Sequence, residues 1–162
     1  MGEVIAAFAG TGKTFFCLRR TDAMDLVCMP FKYENLSLEY ESEKCKANPE
    51  NIISMDWPFN YIDEIILNLP KYRYVVIPSD SMVCSLLREE GVPYYLCYPA
   101  RNLKEEYRER FLQRGNTKDF LDVFIGRWDL FMDHLESDPC ERKIILGSGT
   151  YLSDYFPDVK CP

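Results

Sequence analysis

The chain has 162 residues, of which 47% are hydrophobic and 14% aromatic, with a formal charge of −7. That length and composition specify one globular domain, residues 1–162, and exclude a disordered or collagen-like chain. The acidic balance argues against a nucleic-acid polymer or an anionic membrane as partner. Seven cysteines with no C-x-x-C pair argue against a disulfide scaffold and a zinc site and favour a reducing cytoplasm. No run approaches the length that spans a bilayer, the start lacks a leader-like pattern, and the single histidine, His134, is expected at the surface.

Val4–Phe8 reads as a short buried strand, and Ala9-Gly10-Thr11-Gly12-Lys13-Thr14 follows it at once. A strand, a glycine turn and a helix carrying Phe15, Phe16 and Leu18 form the context that a phosphate-binding loop requires. Glycines let successive backbone N–H groups curl round a β-phosphate. Lys13 is expected to reach the β- and γ-phosphates, and the Thr14 hydroxyl to take a place on Mg²⁺. The usual pattern opens with glycine, whereas Ala7 stands there, at a position that ends the strand. The stretch predicts binding of a nucleoside triphosphate.

The first helix should run from about Gly12 to Arg20. Asp25–Met29 is the second apolar run, closed by Pro30, and Asp25 opens it. Residues 31–56 are acidic and poorly periodic, an excursion over the surface. Trp57-Pro58-Phe59-Asn60-Tyr61 then leads into a helix with Ile62, Ile65, Ile66 and Leu69 on one face. Tyr72–Ile77 is the third strand, and Ser79 or Asp80 caps a helix with the stripe Met82, Val83, Leu86 and Leu87. Pro93–Tyr98 is the fourth strand. Asn102 and Glu105 resemble a capping box for a helix Leu103–Arg114, ended by Gly115-Asn116. Thr117 opens a helix to about Leu135, with Phe120, Phe124, Trp128, Phe131 and Leu135 on one stripe. Arg142–Leu146 is the fifth strand, followed by Gly147-Ser148-Gly149 and a short element around Tyr151–Phe156.

Five short apolar strands alternating with helices specify an α/β fold, a parallel sheet covered on both faces. Ligands of such sheets bind beyond the carboxyl ends of the strands. Residues 101–127 carry seven Lys/Arg against five acids, a basic segment in an acidic protein that suits a small anion. Within it Arg110 and Arg114 stand four apart and so project to one side of their helix. Arg127 falls beside the aromatic stripe. A polyphosphate would be their partner, and ion pairs to Glu105, Glu106, Glu109 or Asp122 are the alternative. Asp80 is a candidate for the outer shell of Mg²⁺, for a base, and for a plain helix cap. Asp56 is a second candidate base. Trp57, Asn60 and Tyr61 could stack on and hydrogen-bond a nucleobase, or pack as an aromatic hinge at a helix start.

The A-x-x-G-x-G-K-T loop, the five strands, the irregular segment after the second and the arginine-bearing hairpin between the fourth and fifth resemble the adenylate-kinase-like P-loop kinases of nucleosides and nucleotides. That resemblance implies a three-layer α/β/α fold with strand order 2-3-1-4-5 and ATP and Mg²⁺ as cofactors. It implies an acceptor-binding segment at 31–61 and a lid-like hairpin at 101–127, in which Arg110 and Arg114 are similar to the lid arginine pair and Arg127 to the arginine that follows. The chain departs from the family in three respects: a short lid, Val-Val-Ile-Pro-Ser-Asp at the end of the third strand, and no Asp-Arg-[Ser/His/Tyr] motif. A nucleoside hydroxyl needs a base on attack and a monophosphate does not, so the missing motif tilts the expectation towards a nucleotide acceptor. The expected function is therefore phosphate transfer from ATP to a small acceptor, a nucleoside monophosphate or nucleoside. A nucleotide-binding switch or NTPase working through a protein partner is the alternative.

Overall fold

The computed structural model describes residues 1–34 and 52–158. A five-stranded, all-parallel sheet forms the centre: β1 (Glu3–Ala7), β2 (Ala23–Asp25), β3 (Tyr74–Pro78), β4 (Tyr94–Pro99) and β5 (Lys143–Leu146), in the order β2-β3-β1-β4-β5. The expected strand order is thus observed. Being central, β1 pairs on both sides, Ile5 opposite Val76 and Tyr95, and its residues 4–7 are wholly buried. This is why it reads as an unbroken apolar run.

Successive side chains of a strand point to opposite faces, and the two faces carry separate cores. Ile5, Ala7, Val76 and Cys97 pack against Phe16 of α1 (Lys13–Leu18) and Leu152 of α8 (Leu152–Tyr155). Val4, Ala6, Phe8, Val75, Ile77 and Leu96 face a larger layer. That layer contains α3 (Phe59–Asn68), α4 (Ser81–Glu89), α5 (Lys104–Gln113), α6 (Lys118–Phe124) and α7 (Trp128–Ser137). A one-turn helix, α2 (Met29–Lys32), lies between β2 and the undescribed stretch 35–51. Among the described residues no helix is long and apolar enough to cross a membrane.

Three expectations are corrected. The second strand is Ala23–Asp25, not Asp25–Met29; Asp25 ends it, and Pro30 sits in the first turn of α2, where a missing N–H costs nothing. The Asn102 capping box does not form: Arg101–Leu103 is a 3₁₀ turn that leads into α5 without a side-chain cap. The long helix from Thr117 to Leu135 is two helices. Gly126 donates to the carbonyl of Leu121, five residues back, and a Cβ there would lie 2.2 Å from the Asp122 carbonyl oxygen. The stripe survives the break because Phe124 and Phe131, on either side of it, stack with rings 5.3 Å apart and 9° from parallel.

The hairpin 101–127 is consequently no free-standing lid. Tyr107, Phe111, Phe120 and Ile125 belong to the main core, while its tip around Arg114 and Gly115 is exposed.

Candidate nucleotide-binding site

The stretch Ala7–Thr14 turns from β1 into α1 at the carboxyl edge of the sheet. Gly10 and Gly12 have φ of +78° and +87°, a conformation that costs an L side chain dearly and glycine nothing. Neighbours enforce the same choice. A Cβ on Gly10 would lie 2.8 Å from the Phe111 ring, and one on Gly12 would lie 3.1 Å from that of Tyr151.

The carbonyls of this turn are held inward one after another. The Ala7 oxygen accepts from Ser79 N–H at 3.2 Å, and that of Phe8 from the Thr11 hydroxyl at 2.7 Å. The Gly10 oxygen accepts from the Arg110 guanidinium at 2.9 Å, and that of Thr11 from Leu152 N–H at 3.0 Å. In a trans peptide the C=O and the following N–H point opposite ways. Fixing the Phe8, Gly10 and Thr11 carbonyls therefore sets the N–H groups of Ala9, Thr11 and Gly12 on the opposite side of each peptide plane, with Thr11 itself wholly enclosed. Among the described residues, no backbone N–H from Ala9 to Phe15 donates to a protein acceptor. Successive unpartnered N–H groups with left-handed glycines among them form an anion-binding concavity. Thr11 is wholly buried, and its hydroxyl closes the turn on the Phe8 carbonyl.

Lys13 folds back over the concavity, its ammonium donating to the Ala7 and Phe8 oxygens at 3.1 and 3.2 Å. Loss of hydration pulls it down to about 8; nearby Asp25 opposes that shift and the charge of Arg114 adds to it. Two cations near one another suit an anion. The Thr14 hydroxyl lies 3.1 Å from Asp25 Oδ2. A hydroxyl and a carboxylate side by side at the edge of this turn are oxygen donors of the kind that could hold Mg²⁺. The residues present fit Mg·ATP. Asp25 escapes sequence reasoning because a strand framed as 25–29 makes it an opening residue, whereas β2 ends at Asp25 and so brings it to the ligand-bearing edge.

The predicted arginines separate. Arg110 is buried. Its guanidinium donates to the Gly10 and Thr150 carbonyls and to Glu106, and lies over the rings of Tyr107 and Tyr151. Arg114 is exposed, near enough to Lys13 to depress it, with no ion pair among the described residues. Arg127 caps α7 at the break after Gly126, exposed and also without a described ion pair. Arg101 is engaged on the surface by Asp133 and Glu136.

Asp80 is the N-cap of α4, one oxygen accepting from Met82 and Val83 N–H at 2.9 and 3.0 Å. Of the suggested acceptor residues, Tyr61 is corrected to a core residue: it is completely buried and its hydroxyl donates to the Leu26 carbonyl. Trp57 stacks on it with rings 5.6 Å apart. The Asn60 amide donates to the Phe31 carbonyl at 2.8 Å, and its oxygen accepts from Tyr61 N–H. These three form the aromatic hinge at the start of α3, and Asp56 alone is exposed with its carboxylate unpaired among the described residues. Most of the irregular stretch 31–56 lies outside the described residues. No protein-family model matches the chain, and no curated protein matches it in sequence.

Proposed function

We propose that the protein is a phosphotransferase that uses Mg·ATP to phosphorylate a small acceptor, a nucleoside monophosphate or a nucleoside. The observation that carries this reading is the run of unpartnered backbone N–H groups from Ala9 to Phe15 around the Lys13 ammonium. Donors without acceptors are costly where they are buried, as at Gly10 and Thr11, unless a ligand or water satisfies them. The polyphosphate chain supplies acceptor oxygens in the number and spacing that such a loop takes.

In this reading each residue acts on charge. The loop N–H groups hold the β-phosphate. Lys13, on exchanging its two carbonyl acceptors for phosphate oxygens, neutralises the transferred group, and Arg114 supplies a second cation from the hairpin tip. Asp25 accepts a hydrogen bond from the Thr14 hydroxyl and leaves the hydroxyl oxygen's lone pairs available to Mg²⁺, which when bound would neutralise phosphate charge. Arg127 remains a candidate third cation. Asp56 and the open edge of Trp57 are the described groups that could meet the acceptor.

The test is ADP release in the presence of Mg·ATP and a panel of nucleosides, deoxynucleosides, their monophosphates and simple sugars. A kinase releases ADP only with its acceptor. Slow, acceptor-independent hydrolysis would instead place the protein among switches or NTPases that act on a protein partner.

A further inference from the structure

The helical spacing of Arg110 and Arg114 suggests one joint role, and their surroundings suggest two. Arg110 already has protein partners, whereas Arg114 has no ion pair among the described residues. Three hydrogen bonds already engage the Arg110 guanidinium, to one carbonyl of the phosphate loop, one carbonyl of the turn after β5, and Glu106. Its guanidinium lies 4.5 Å from the Tyr107 ring centre and 4.1 Å from that of Tyr151, which itself packs over Gly12. Glu106 extends the arrangement by accepting from the Ser148 hydroxyl and from Gly149 N–H. These two bonds, Ser148 first, with Arg110 adding its charge, hold the Glu106 carboxyl below the usual carboxylate range.

We propose that Arg110 is the positioning residue of the phosphate loop, and that with Glu106 it clamps the loop to the turn 147–151 so that the peptide between Gly10 and Thr11 presents its N–H to the ligand. The physical step is the orientation of one peptide plane. With the Gly10 oxygen fixed on a buried cation, the Thr11 N–H on the opposite side of that plane has one direction open to it. Without the clamp, a left-handed glycine peptide has other orientations within reach. Arg110 then acts on binding, before the transition state, whereas Arg114 acts during transfer. The inference rests on the loop being the nucleotide site, and its first readout is independent of any nucleotide.

The experiment compares Arg110→Lys and Glu106→Gln with the wild-type chain. Lysine keeps the charge but cannot span the Gly10 and Thr150 carbonyls while stacking between two rings. In the ligand-free, ¹⁵N-labelled protein the Thr11 and Gly12 amide resonances should shift or broaden in both variants, while those of β3 stay in place. ATP affinity should fall about tenfold in Arg110→Lys, the scale of one charged hydrogen bond, with kcat at saturating ATP within about twofold of wild type. Glu106→Gln should show the same pattern, about threefold in affinity, since it removes a charge-assisted bond but keeps the shape. Unmoved Thr11 and Gly12 amides, or a lowered kcat at unchanged ATP affinity, would overturn the proposal; the latter would return Arg110 to direct contact with the transferred phosphate. Should Arg110→Lys not fold, Glu106→Gln and Ser148→Ala carry the same readouts. If the wild-type chain binds no ATP, the kinase reading falls, and the Thr11 amide still decides whether the clamp exists.

Discussion

Two stretches face the carboxyl edge of the sheet, and they use their polar groups in opposite ways. From Ala9 to Phe15 the backbone donates to no acceptor among the described residues. From 52 to 61, Ser54, Trp57, Asn60 and Tyr61 are each engaged nearby, while Asp56 and Phe59 are exposed. Ser54 N–H reaches the Lys32 carbonyl, Asn60 joins the Phe31 carbonyl to Tyr61, and Trp57 covers Tyr61. Residue type alone marks both stretches as ligand-binding, since aromatics and amides suit a nucleobase as well as glycines suit phosphate. Whether the groups are already satisfied separates them. Unsatisfied donors held by a rigid frame indicate a ligand; satisfied ones indicate packing.

The largest test of that contrast is Lys13→Ala. It should reduce ATP binding and turnover by a factor of at least about a hundred, the loss of one buried cation on phosphate, with the circular dichroism spectrum unchanged. ATP affinity equal to wild type in the folded variant would remove the basis for calling 9–15 a phosphate site. Next comes Arg114→Ala, expected to lower kcat about tenfold to a thousandfold while ATP dissociation stays near wild type, because its partner charge is greatest during transfer. Full kcat in that variant would make the hairpin tip a bystander.

The ammonium of Lys13 gives a third handle. It is held down to about 8 before phosphate arrives, and a bound polyanion must raise it. Below that value the lysine is charged in both states and binding takes up no proton. Above it the ammonium must be restored on binding, so ATP affinity should fall as pH rises, about tenfold between pH 7 and 9. Titration calorimetry in two buffers of different ionisation enthalpy would register the proton uptake at pH 9 and almost none at pH 6.5. A flat profile would mean that Lys13 does not meet phosphate. The smallest expected effect belongs to the other stretch: Asn60→Ala should cost about 1 kcal/mol of stability in urea unfolding, the worth of the bond to Phe31, and leave the KM for the acceptor unchanged. A raised acceptor KM at constant stability would show that Asn60 touches the acceptor after all.

Much of the fold is legible from composition and period, for definite reasons. Buried parallel strands are apolar on both faces, so β1, β3 and β4 stand out as runs. The glycines at 10 and 12 and the lysine after them announce the turn they make. What escaped has equally local causes. β2 is three residues long, and the apolar residues after it belong to a loop and to α2, so Asp25 was framed at the wrong end of its strand. The break at Gly126 hides behind a stripe that continues in phase across it. The divergence of Arg110 and Arg114 depends on a turn forty residues away, Thr150 meeting one of them, which no helical spacing reveals.

Phe8 lies inside the glycine turn between β1 and α1, yet its ring is also the hub of the large core, with ring centres of Tyr107, Phe124, Trp128 and Phe131 at 5.7 to 6.4 Å. The residue that enters the loop and the residues that hold α5, α6 and α7 together are therefore one cooperative unit. On heating, such a loop has no separate early transition of its own: it loses its shape when the aromatic layer melts, and not before.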